Sequence, residues 1–418
     1  MLFARVIASG AVVVTLSLSL ASAACDSGSA GRETPDDPSS NGSDPSGDGA
    51  DKGDQAPSPV AALALSSCIP AGYALPLRIG DSEPFDVTLD TGSTSLAVAS
   101  SSCSGCDVDP KFSPKAGVID RGMEAEARYV TGRWSGKVYE GDISLDPRTR
   151  ASVKFVAIEE QEGFFARQTC GSKSGGVQGI IGFGHPLGAV RGTTGFFDRF
   201  VAESKTPDIF ATSLCDDGGT LWLGGYDATQ TTAPPQYTPL LSGLLTYYAV
   251  RLANIEVDGT TVPVASRRYP RTAVDTGASV FLLPRAALSS LAKVIASNSS
   301  FQAIIGEDAS WFDNPDGLSC KELMTTKSDL DARLPPLALT FGTEEDAITL
   351  RAAPTESYLA SYEGRWCSTL AAFDPSPDLP IASIMGAPVM RSSIVIFDRE
   401  NERIGFAPRK PCGRSPAK

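Results

Sequence analysis

Short apolar runs separated by turn residues dominate the chain from Pro59 onward. The runs are rich in Val, Ile, Thr and aromatic residues, and clusters of Gly, Pro, Asp and Ser interrupt them. This pattern predicts many β-strands joined by turns. The clearest predicted strands are 74–79, 85–89, 153–158, 220–224 and 247–257, and the segments 393–398 and 403–407 form a predicted hairpin around 399–402.

Helical periodicity is weaker and is best developed in two segments, 196–203 and 285–296. Pro76 falls inside the first predicted strand. Because proline has no N–H for a sheet ladder, Pro76 is expected at an edge or a bulge. The fold class that follows is mostly β.

The chain length and charge limit the architecture and the partners. A chain of 418 residues exceeds the usual limit for one compact core, so two lobes are expected. The formal net charge is −13, without the basic surface that nucleic-acid binding needs. Nucleic acid is therefore not an expected partner.

Residues 1–24 are typical of a signal peptide. Arg5 precedes an apolar run over 6–20, and the small residues at 21–23 offer a cleavage site. Cys25 then resembles the lipidation site of bacterial lipoproteins, although Ser22 stands where that pattern usually has leucine. Two outcomes stay open. The exported protein is either anchored to a bacterial membrane through a lipidated Cys25, or cleaved and released as a periplasmic or secreted protein.

The segment that follows has a different composition. Residues 26–58 contain no aromatic residue and no Ile, Leu or Val, and acidic residues lie among Gly, Ser and Pro. Such a segment cannot bury enough apolar surface to offset its ordering entropy. Residues 25–58 are therefore predicted to be a disordered acidic tether.

One short phrase occurs twice in the rest of the chain. V-T-L-D-T-G-S-T-S-L stands at 87–96, and A-V-D-T-G-A-S-V-F-L stands at 273–282. Each copy has a distant apolar-apolar-glycine partner, at 179–182 and 383–386. A two-part signature repeated in order indicates two related lobes, predicted at 59–240 and 241–418.

The repeat gives each lobe one aspartate, Asp90 and Asp275. If the lobes bring these two carboxylates together, they cannot both ionise comfortably and would share one proton. One carboxylate could then activate a water while the other protonates a substrate carbonyl. This chemistry hydrolyses peptide bonds without a metal or a cofactor, and it favours acid pH.

These segments together resemble the pepsin-like family of aspartic endopeptidases over nearly all of 65–410. The stretches G-T-L-W-L-G-G-Y-D at 219–227 and F-D-R-E-N-E-R-I-G-F-A-P at 397–408 share in the resemblance. It implies a bilobal acid-protease fold with two pseudo-symmetric lobes and a central cleft that takes an extended peptide. It also implies site roles: catalysis for Asp90 and Asp275, and support of that pair by Thr91, Gly92, Ser93, Thr276 and Gly277.

The resemblance further implies a flap, a β-hairpin over the cleft, with Tyr129 and Gly132 at its tip. The alternative is that Tyr129 lies on an ordinary strand. Pepsin itself has a tryptophan that bonds the flap tyrosine, and Ala97 stands in its place here, so Trp134 is considered as a substitute. Ala278 departs from the family as well, because threonine is commoner after the second turn.

Nine cysteines occur, and eight remain when Cys25 is set apart. An even number in an exported chain is typical of disulfides. The family resemblance, with some nepenthesin-like features, implies the pairing. The implied pairs are Cys103–Cys106, Cys320–Cys367, Cys170–Cys215 and Cys68–Cys412.

Other classes of function fit less well. His185 is the single histidine, and it is expected to be structural. A serine hydrolase would need a G-x-S-x-G motif, and a catalytic zinc site would need further metal ligands, which the sequence does not offer. A plain β-rich surface lipoprotein would leave the repeat unexplained. A catalytically silent binding or inhibitor protein on the same fold is the main alternative. The expected protein is a monomer with no inhibitory prosegment, and its expected partners are protein or peptide substrates.

Overall fold

A computed structural model describes residues 57–69, 72–129, 132–165, 169–170, 176–243, 246–263, 271–314, 318–374 and 379–412. The predicted signal peptide, Cys25 and nearly all of the predicted tether lie outside these ranges. Within them, no helix has both the length and the apolar character that crossing a bilayer requires.

Most of the described chain is organised around β-strands, as the apolar pattern predicts. The strands are β1 (Ala61–Ile69), β2 (Gly72–Ile79), β3 (Phe85–Asp90), β4 (Leu96–Ala99), β5 (Ile119–Arg128), β6 (Arg133–Ser144), β7 (Arg150–Glu162), β8 (Thr169–Cys170), β9 (Gly179–Gly182), β10 (Ile209–Cys215), β11 (Gly218–Leu223), β12 (Gln236–Pro239), β13 (Ala249–Val250), β14 (Leu252–Val257), β15 (Thr260–Thr261), β16 (Thr272–Asp275), β17 (Phe281–Leu283), β18 (Cys320–Lys321), β19 (Leu337–Phe341), β20 (Ile348–Ala352), β21 (Leu359–Tyr362), β22 (Arg365–Ser368), β23 (Leu370–Ala372), β24 (Ser383–Gly386), β25 (Ser393–Asp398) and β26 (Arg403–Pro408).

Both predicted helices are present in the described chain, with three shorter ones. The α-helices are α1 (Phe196–Ser204), α2 (Arg285–Ser297), α3 (Ser299–Ile304), α4 (Lys327–Arg333) and α5 (Ala387–Met390). Single 3-10 turns lie at Pro186–Gly188, Ala228–Gln230, Ala309–Phe312 and Pro354–Glu356.

The described strands form one large sheet and three smaller ones. The large sheet runs in the order β12-β26-β25-β10-β11-β1-β2-β3-β9-β4-β7-β6-β5, with β8 paired to β1. The smaller sheets belong to the second half of the chain, and their orders are β13-β16-β24-β17-β23, β15-β14-β19-β20 and β18-β22-β21.

Local sequence explains the burial of individual strands. In β20, Ile348, Leu350 and Ala352 are buried while Thr349 and Arg351 are exposed, which is the alternation of a strand with one covered face. By contrast, all four residues of β9 are buried, because that strand lies between β3 and β4 inside the sheet. The α2 helix buries one apolar face through residues such as Leu288 and Leu291.

Two details of the strand prediction are corrected by the structure. Pro76 lies in an interior strand, because β2 pairs with β3 on one side and with β1 and β6 on the other. On that second side the ladder of β1 ends at Ala74 and that of β6 begins at Arg78. Pro76 sits in the gap between them, where no partner needs its N–H. The predicted strand 247–257 is divided into β13 and β14.

The repeated phrase occupies the same strand frame in both halves. β3 pairs in parallel with β9 so that Asp90 lies opposite Gly182, and β16 pairs in parallel with β24 so that Asp275 lies opposite Gly386. A Cβ at either glycine would overlap the backbone of the loop that follows the aspartate of the same half. The glycines of the distant partners therefore let that loop cross closely.

Strands from the two ends of the chain share the large sheet. β10 pairs with β25, and β25 and β26 form the predicted hairpin with Asp398 opposite Arg403. The buried Asp398 carboxylate accepts hydrogen bonds from Asn401 and from Arg403 Nε, at 2.7 Å for the latter. In the same turn, Arg399 Nη2 lies 2.6 Å from Asp198 Oδ1 of α1. The hairpin is thus held to the first half of the chain by the Arg399–Asp198 salt bridge as well as by the pairing of β25 with β10.

Two of the implied disulfides are present. Cys103 bonds Cys106 in a short loop after β4, and Cys320 bonds Cys367 between β18 and β22.

The other two implied pairs, Cys170–Cys215 and Cys68–Cys412, are wrong. Cys215 bonds Cys412 instead. The sheet register explains this, because β25 and β26 bring the C-terminal segment back to the end of β10, where Cys215 lies. Cys68 is also disulfide-bonded, and its backbone lies opposite Cys170 in the β1–β8 ladder.

Candidate active site

The two D-T-G turns meet at the seam between the halves of the chain. Thr91 N–H donates to Thr276 Oγ1 at 3.1 Å, and Thr276 N–H donates to Thr91 Oγ1 at 3.0 Å. Each hydroxyl in turn donates to a strand carbonyl of the opposite half, Val274 for Thr91 and Leu89 for Thr276. Both threonines are fully buried. This reciprocal set of hydrogen bonds fixes the two turns against each other.

The glycines of the turns let the aspartates approach. A Cβ at Gly92 would stand 2.5 Å from Asp275 Oδ2, and a Cβ at Gly277 would stand 2.6 Å from Asp90 Oδ1. Each glycine N–H donates to the aspartate of its own turn at 2.7 Å. The same Cβ at Gly277 would stand 3.1 Å from Asp275 Oδ1, so the two carboxyls face each other across these glycines. Sequence reasoning predicted this pairing, and the structure brings both residues together.

The two aspartates differ in their remaining partners. Ser93 Oγ donates to Asp90 Oδ2 at 2.5 Å. Asp275 has no such donor in its own turn, because Ala278 stands where a hydroxyl residue is commoner. Burial, and then the neighbouring Asp90 carboxylate, raise the pKa of Asp275 well above its ordinary value. The pair is therefore arranged to share one proton.

Tyr129 and Gly132 lie at the tip of the hairpin formed by β5 and β6. Tyr129 N–H donates to the Gly132 carbonyl oxygen at 2.7 Å. Burial, and then the Asp90 charge, raise the pKa of the Tyr129 hydroxyl. Tyr129 thus stays protonated near Asp90 of the first D-T-G turn. Residues 130–131 lie outside the described chain.

Trp134 lies beside Tyr129, where a substitute for the missing flap tryptophan would have to lie. Its ring lies 6.5 Å from that of Tyr129, and both belong to a cluster that includes Ala97. The small Ala97 side chain leaves room for the indole, which is buried. Trp134 Nε1 makes no hydrogen bond of standard geometry within the described residues.

His185 and Tyr247 complete the surroundings. His185 Nδ1 accepts a hydrogen bond from Leu187 N–H at 3.4 Å and caps a 3-10 turn, and its carbonyl accepts from Thr94 Oγ1. Its contacts are therefore local and structural. The charges of Asp275 and Asp90 both act on the Tyr247 hydroxyl, whose pKa is raised mainly by burial. The sequence analysis did not identify Tyr247 as a site residue. The only sequence signal for it is the pair of adjacent aromatic residues, Tyr247 and Tyr248, at the start of the predicted strand 247–257.

Metal ligands are not grouped in the described part of the chain, where no cluster of three or more His, Cys, Asp or Glu side chains could hold an ion.

Comparison with known proteins identifies the family. Residues 72–409 match the family model described as eukaryotic aspartyl protease. The chain belongs to this family. Its mostly β structure, with large sheets and a doubled strand frame, is that of a bilobal pepsin-like protein. The resemblance drawn from the D-T-G turns is confirmed over most of the chain.

Curated relatives agree with this membership at low identity. The chain is 26% identical to Pepsin-2B of Gadus morhua over 334 residues, 78% of this chain and 92% of the relative. It is 25% identical to Beta-secretase of Strongylocentrotus purpuratus over 374 residues, 82% of this chain and 67% of the relative. Cathepsin E-B of Xenopus laevis is 26% identical over 339 residues, 78% of this chain and 76% of the relative.

Proposed function

We propose that this member of the aspartyl protease family is an aspartic endopeptidase that uses Asp90 and Asp275 as its catalytic pair at acid pH. The observation that carries the proposal is the pair of facing carboxyls that the two interlocked D-T-G turns bring together, one of them bonded by the Ser93 hydroxyl. Protein or peptide substrates follow from the family, and the cleavage preference is left to experiment.

In the first step, a water bound between the two carboxyls attacks the carbonyl carbon of the scissile peptide bond. Asp90, ionised and held by Gly92 N–H and the Ser93 hydroxyl, takes a proton from the water. Asp275 gives its proton to the carbonyl oxygen. The product is a neutral tetrahedral diol, with Asp90 protonated and Asp275 ionised.

In the second step, the carbon–nitrogen bond breaks. Asp90 gives its proton to the departing nitrogen, and one hydroxyl of the diol returns a proton to Asp275 as the carbonyl re-forms. The products are a carboxylic acid and an amine, and the pair recovers its starting state. Activity therefore needs one proton on the pair, so it declines as pH rises through the raised pKa of Asp275.

The experiment is cleavage of an unfolded protein substrate from pH 2 to 7, with and without pepstatin. We expect acid activity that pepstatin abolishes. We also expect Asp90→Asn to lose about a thousandfold or more, because general acid–base catalysis by a positioned group contributes about 10²–10⁴-fold. Asp81→Asn is the control, since Asp81 is exposed in the turn after β2. No cleavage by a folded, disulfide-intact sample would favour the silent binding protein.

Export is part of the same proposal. The disulfides Cys103–Cys106, Cys215–Cys412 and Cys320–Cys367 support an oxidising compartment outside the cytosol. We propose that the chain is exported as a monomer and anchored through a lipidated Cys25. Mass spectrometry of the mature N-terminus tests this, and an unmodified terminus in the soluble fraction would reject the anchor.

A further inference from the structure

The tip of the β5–β6 hairpin rests on the turn that follows β7, residues 163–165. A Cβ at Gly132 would stand 2.7 Å from both the carbonyl carbon of Gly163 and the backbone nitrogen of Phe164, so the two backbones touch. On the other arm of the hairpin, the Tyr129 ring lies 5.5 Å from the Phe164 ring. The turn therefore contacts both described ends of the tip.

One side chain, Gln161, ties this turn to a third segment. Gln161 Oε1 accepts hydrogen bonds from Phe164 N–H at 3.0 Å and from Phe165 N–H at 3.3 Å. At the other end of the amide, Nε2 donates to the Gly105 carbonyl oxygen at 2.6 Å. A carboxamide carries a donor and an acceptor on one planar group, which a carboxylate does not. The Gln161 amide thus joins the turn to the segment around Gly105.

The segment around Gly105 is a firm support. Gly105 lies in the short loop closed by the Cys103–Cys106 disulfide, and both cysteines are buried. Lys111 Nζ donates to the Cys103 carbonyl oxygen at 2.9 Å and fastens the loop to the chain that follows it. Because so short a closed loop is stiff, a hydrogen bond to it also fixes the position of the donor.

A β-bulge precedes Gln161 in β7. The β6–β7 ladder skips Glu159, which is the extra residue of the bulge. Bulges next to functional sites bend the strand and re-aim its side chains. Beyond the bulge, Gln161 lies opposite Trp134 of β6, whose ring lies 6.5 Å from that of Tyr129. Glu159 itself accepts a hydrogen bond from Ser102 Oγ, beside the disulfide loop, at 3.1 Å. The end of β7 therefore contacts both the disulfide loop and the hairpin.

The Tyr129 ring packs against two aromatic rings, those of Trp134 and Phe164. The indole N–H of Trp134 makes no hydrogen bond of standard geometry within the described residues. Ring packing depends on where the backbone places each ring. The position of Phe164 therefore bears on that of Tyr129, and the two hydrogen bonds to Gln161 Oε1 fix the backbone around Phe164.

We propose that Gln161 is a positioning residue for the β5–β6 hairpin, and that it sets the place of Tyr129 near the catalytic pair by fixing Phe164. Loss of the amide leaves the hairpin in place but lets its tip move relative to the aspartates. A substrate must then order the tip as it binds, which weakens binding. The inference rests on the proposed function for its effect on cleavage, and its structural arm does not need catalysis.

The first variant is Gln161→Ala. Tyr129 N–H is bonded to the Gly132 carbonyl oxygen across the tip, and its hydrogen exchange should become about fivefold faster. On a peptide substrate, KM should rise about fivefold while kcat changes less than twofold, because the tip is ordered on binding. Gln236→Ala, on the exposed end of β12, is the matched control and should change neither value.

The second variant, Gln161→Glu, keeps the shape of the side chain and makes its donor depend on pH. A protonated carboxyl can donate to the Gly105 carbonyl oxygen, whereas the carboxylate repels it, and glutamate has an ordinary pKa of about 4.3. Relative to the unaltered chain at the same pH, KM and Tyr129 exchange should stay within twofold at pH 3 and rise about fivefold at pH 5.5. Gln161→Ala at both pH values corrects for the charged groups nearby, which are Arg133, Lys137, Glu159, Glu160 and Glu162.

A double-mutant cycle tests the route through Phe164. Phe164→Leu removes the aromatic contact with Tyr129 and keeps the backbone N–H that Gln161 accepts. In this background Gln161→Ala should change KM less than twofold, because the two residues act in series. If Gln161→Ala fails to fold, the comparison of Gln161→Glu at the two pH values decides alone.

Unchanged exchange and KM in Gln161→Ala would overturn the positioning role. So would a Gln161→Glu variant that behaves alike at both pH values, or a full Gln161→Ala effect in the Phe164→Leu background. The two proposals can be told apart. Faster exchange at the tip of a chain that cleaves nothing would remove the protease and keep the positioning role, whereas cleavage with the same KM in every variant would keep the protease and remove the role.

Discussion

The two D-T-G turns share one arrangement of strands and differ in one hydrogen-bond donor. In both, the aspartate ends a strand that runs parallel to a strand ending in glycine, and the threonines bond each other reciprocally. The first turn continues with Ser93, which donates to Asp90, and lies under Tyr129. The second continues with Ala278, and Asp275 is left with the raised pKa.

The difference between Ser93 and Ala278 shows which properties of the two carboxyls follow from the repeat and which do not. A duplicated frame places two carboxyls at equal distances from a common axis, but identical surroundings would give them identical affinity for the shared proton. A single hydroxyl in the first turn breaks that equality. The repeat therefore positions the two carboxyls, and in the proposed mechanism Ser93 is the residue that distinguishes the base from the acid.

The largest effect on stability should come from the reciprocal threonine hydrogen bonds that the two turns share. Thr91→Val and Thr276→Val each leave a backbone N–H and a carbonyl of the other half buried without a partner. Each unpaired group costs about 1–3 kcal/mol, so we expect both variants to lower the free energy of unfolding by similar amounts. Urea denaturation measures this, with exposed Thr261→Val as the control. A loss in only one of the two variants would show that the frame is not symmetric.

An exchange of the differing residue should move catalysis. Ser93→Ala removes a hydrogen bond to a charged acceptor, which is worth about 1.5–3 kcal/mol, and it should lower kcat/KM by about tenfold or more. The pH–rate profile of this variant on a peptide substrate measures the loss. Ala278→Ser should lower the raised pKa of Asp275 and move the basic limb to lower pH. An unchanged profile in both variants would refute the asymmetry.

The flap should contribute less. Trp134→Phe keeps an aromatic ring but removes the indole N–H beside Tyr129. Since this N–H makes no hydrogen bond of standard geometry, its removal should cost less than the roughly 1 kcal/mol of a typical hydrogen bond, raise KM by about threefold at most and change kcat less. Steady-state kinetics on a peptide substrate measure this, and Trp311→Phe in the second half is the control. Equal effects of both substitutions would argue against a role in positioning Tyr129.

The raised pKa also predicts a dependence of stability on pH. A carboxyl whose folded pKa is raised contributes stability fully below its unfolded pKa of about 3.9, and this contribution is lost as pH rises through the folded pKa. Asp275→Asn does not titrate, so its stability relative to the unaltered chain should increase from pH 3 to pH 7. Thermal denaturation at both pH values, with Asp81→Asn as control, tests the sign. A constant difference would contradict the raised pKa.

The sequence predicted features that depend on local residues or on a repeated pattern. The strand character, the hairpin of β25 and β26, the two turns and the place of Tyr129 belong to this group. The pairing of Cys215 with Cys412 could not be predicted in the same way, because it depends on a sheet register set by distant strands. Tyr247 and the contacts of Gln161 have the same origin, since neighbours from several elements create them.

The placement of β25 in the large sheet has a consequence for biosynthesis. Phe210 of β10 lies opposite Phe397 of β25. β10 therefore pairs with a strand that is synthesised roughly 190 residues later. β24, on which the second turn rests, is also made near the end. A chain released early would therefore lack both the supporting strand of Asp275 and the closure of the sheet. The two carboxyls can therefore be held together as described only after the C-terminal strands have been made.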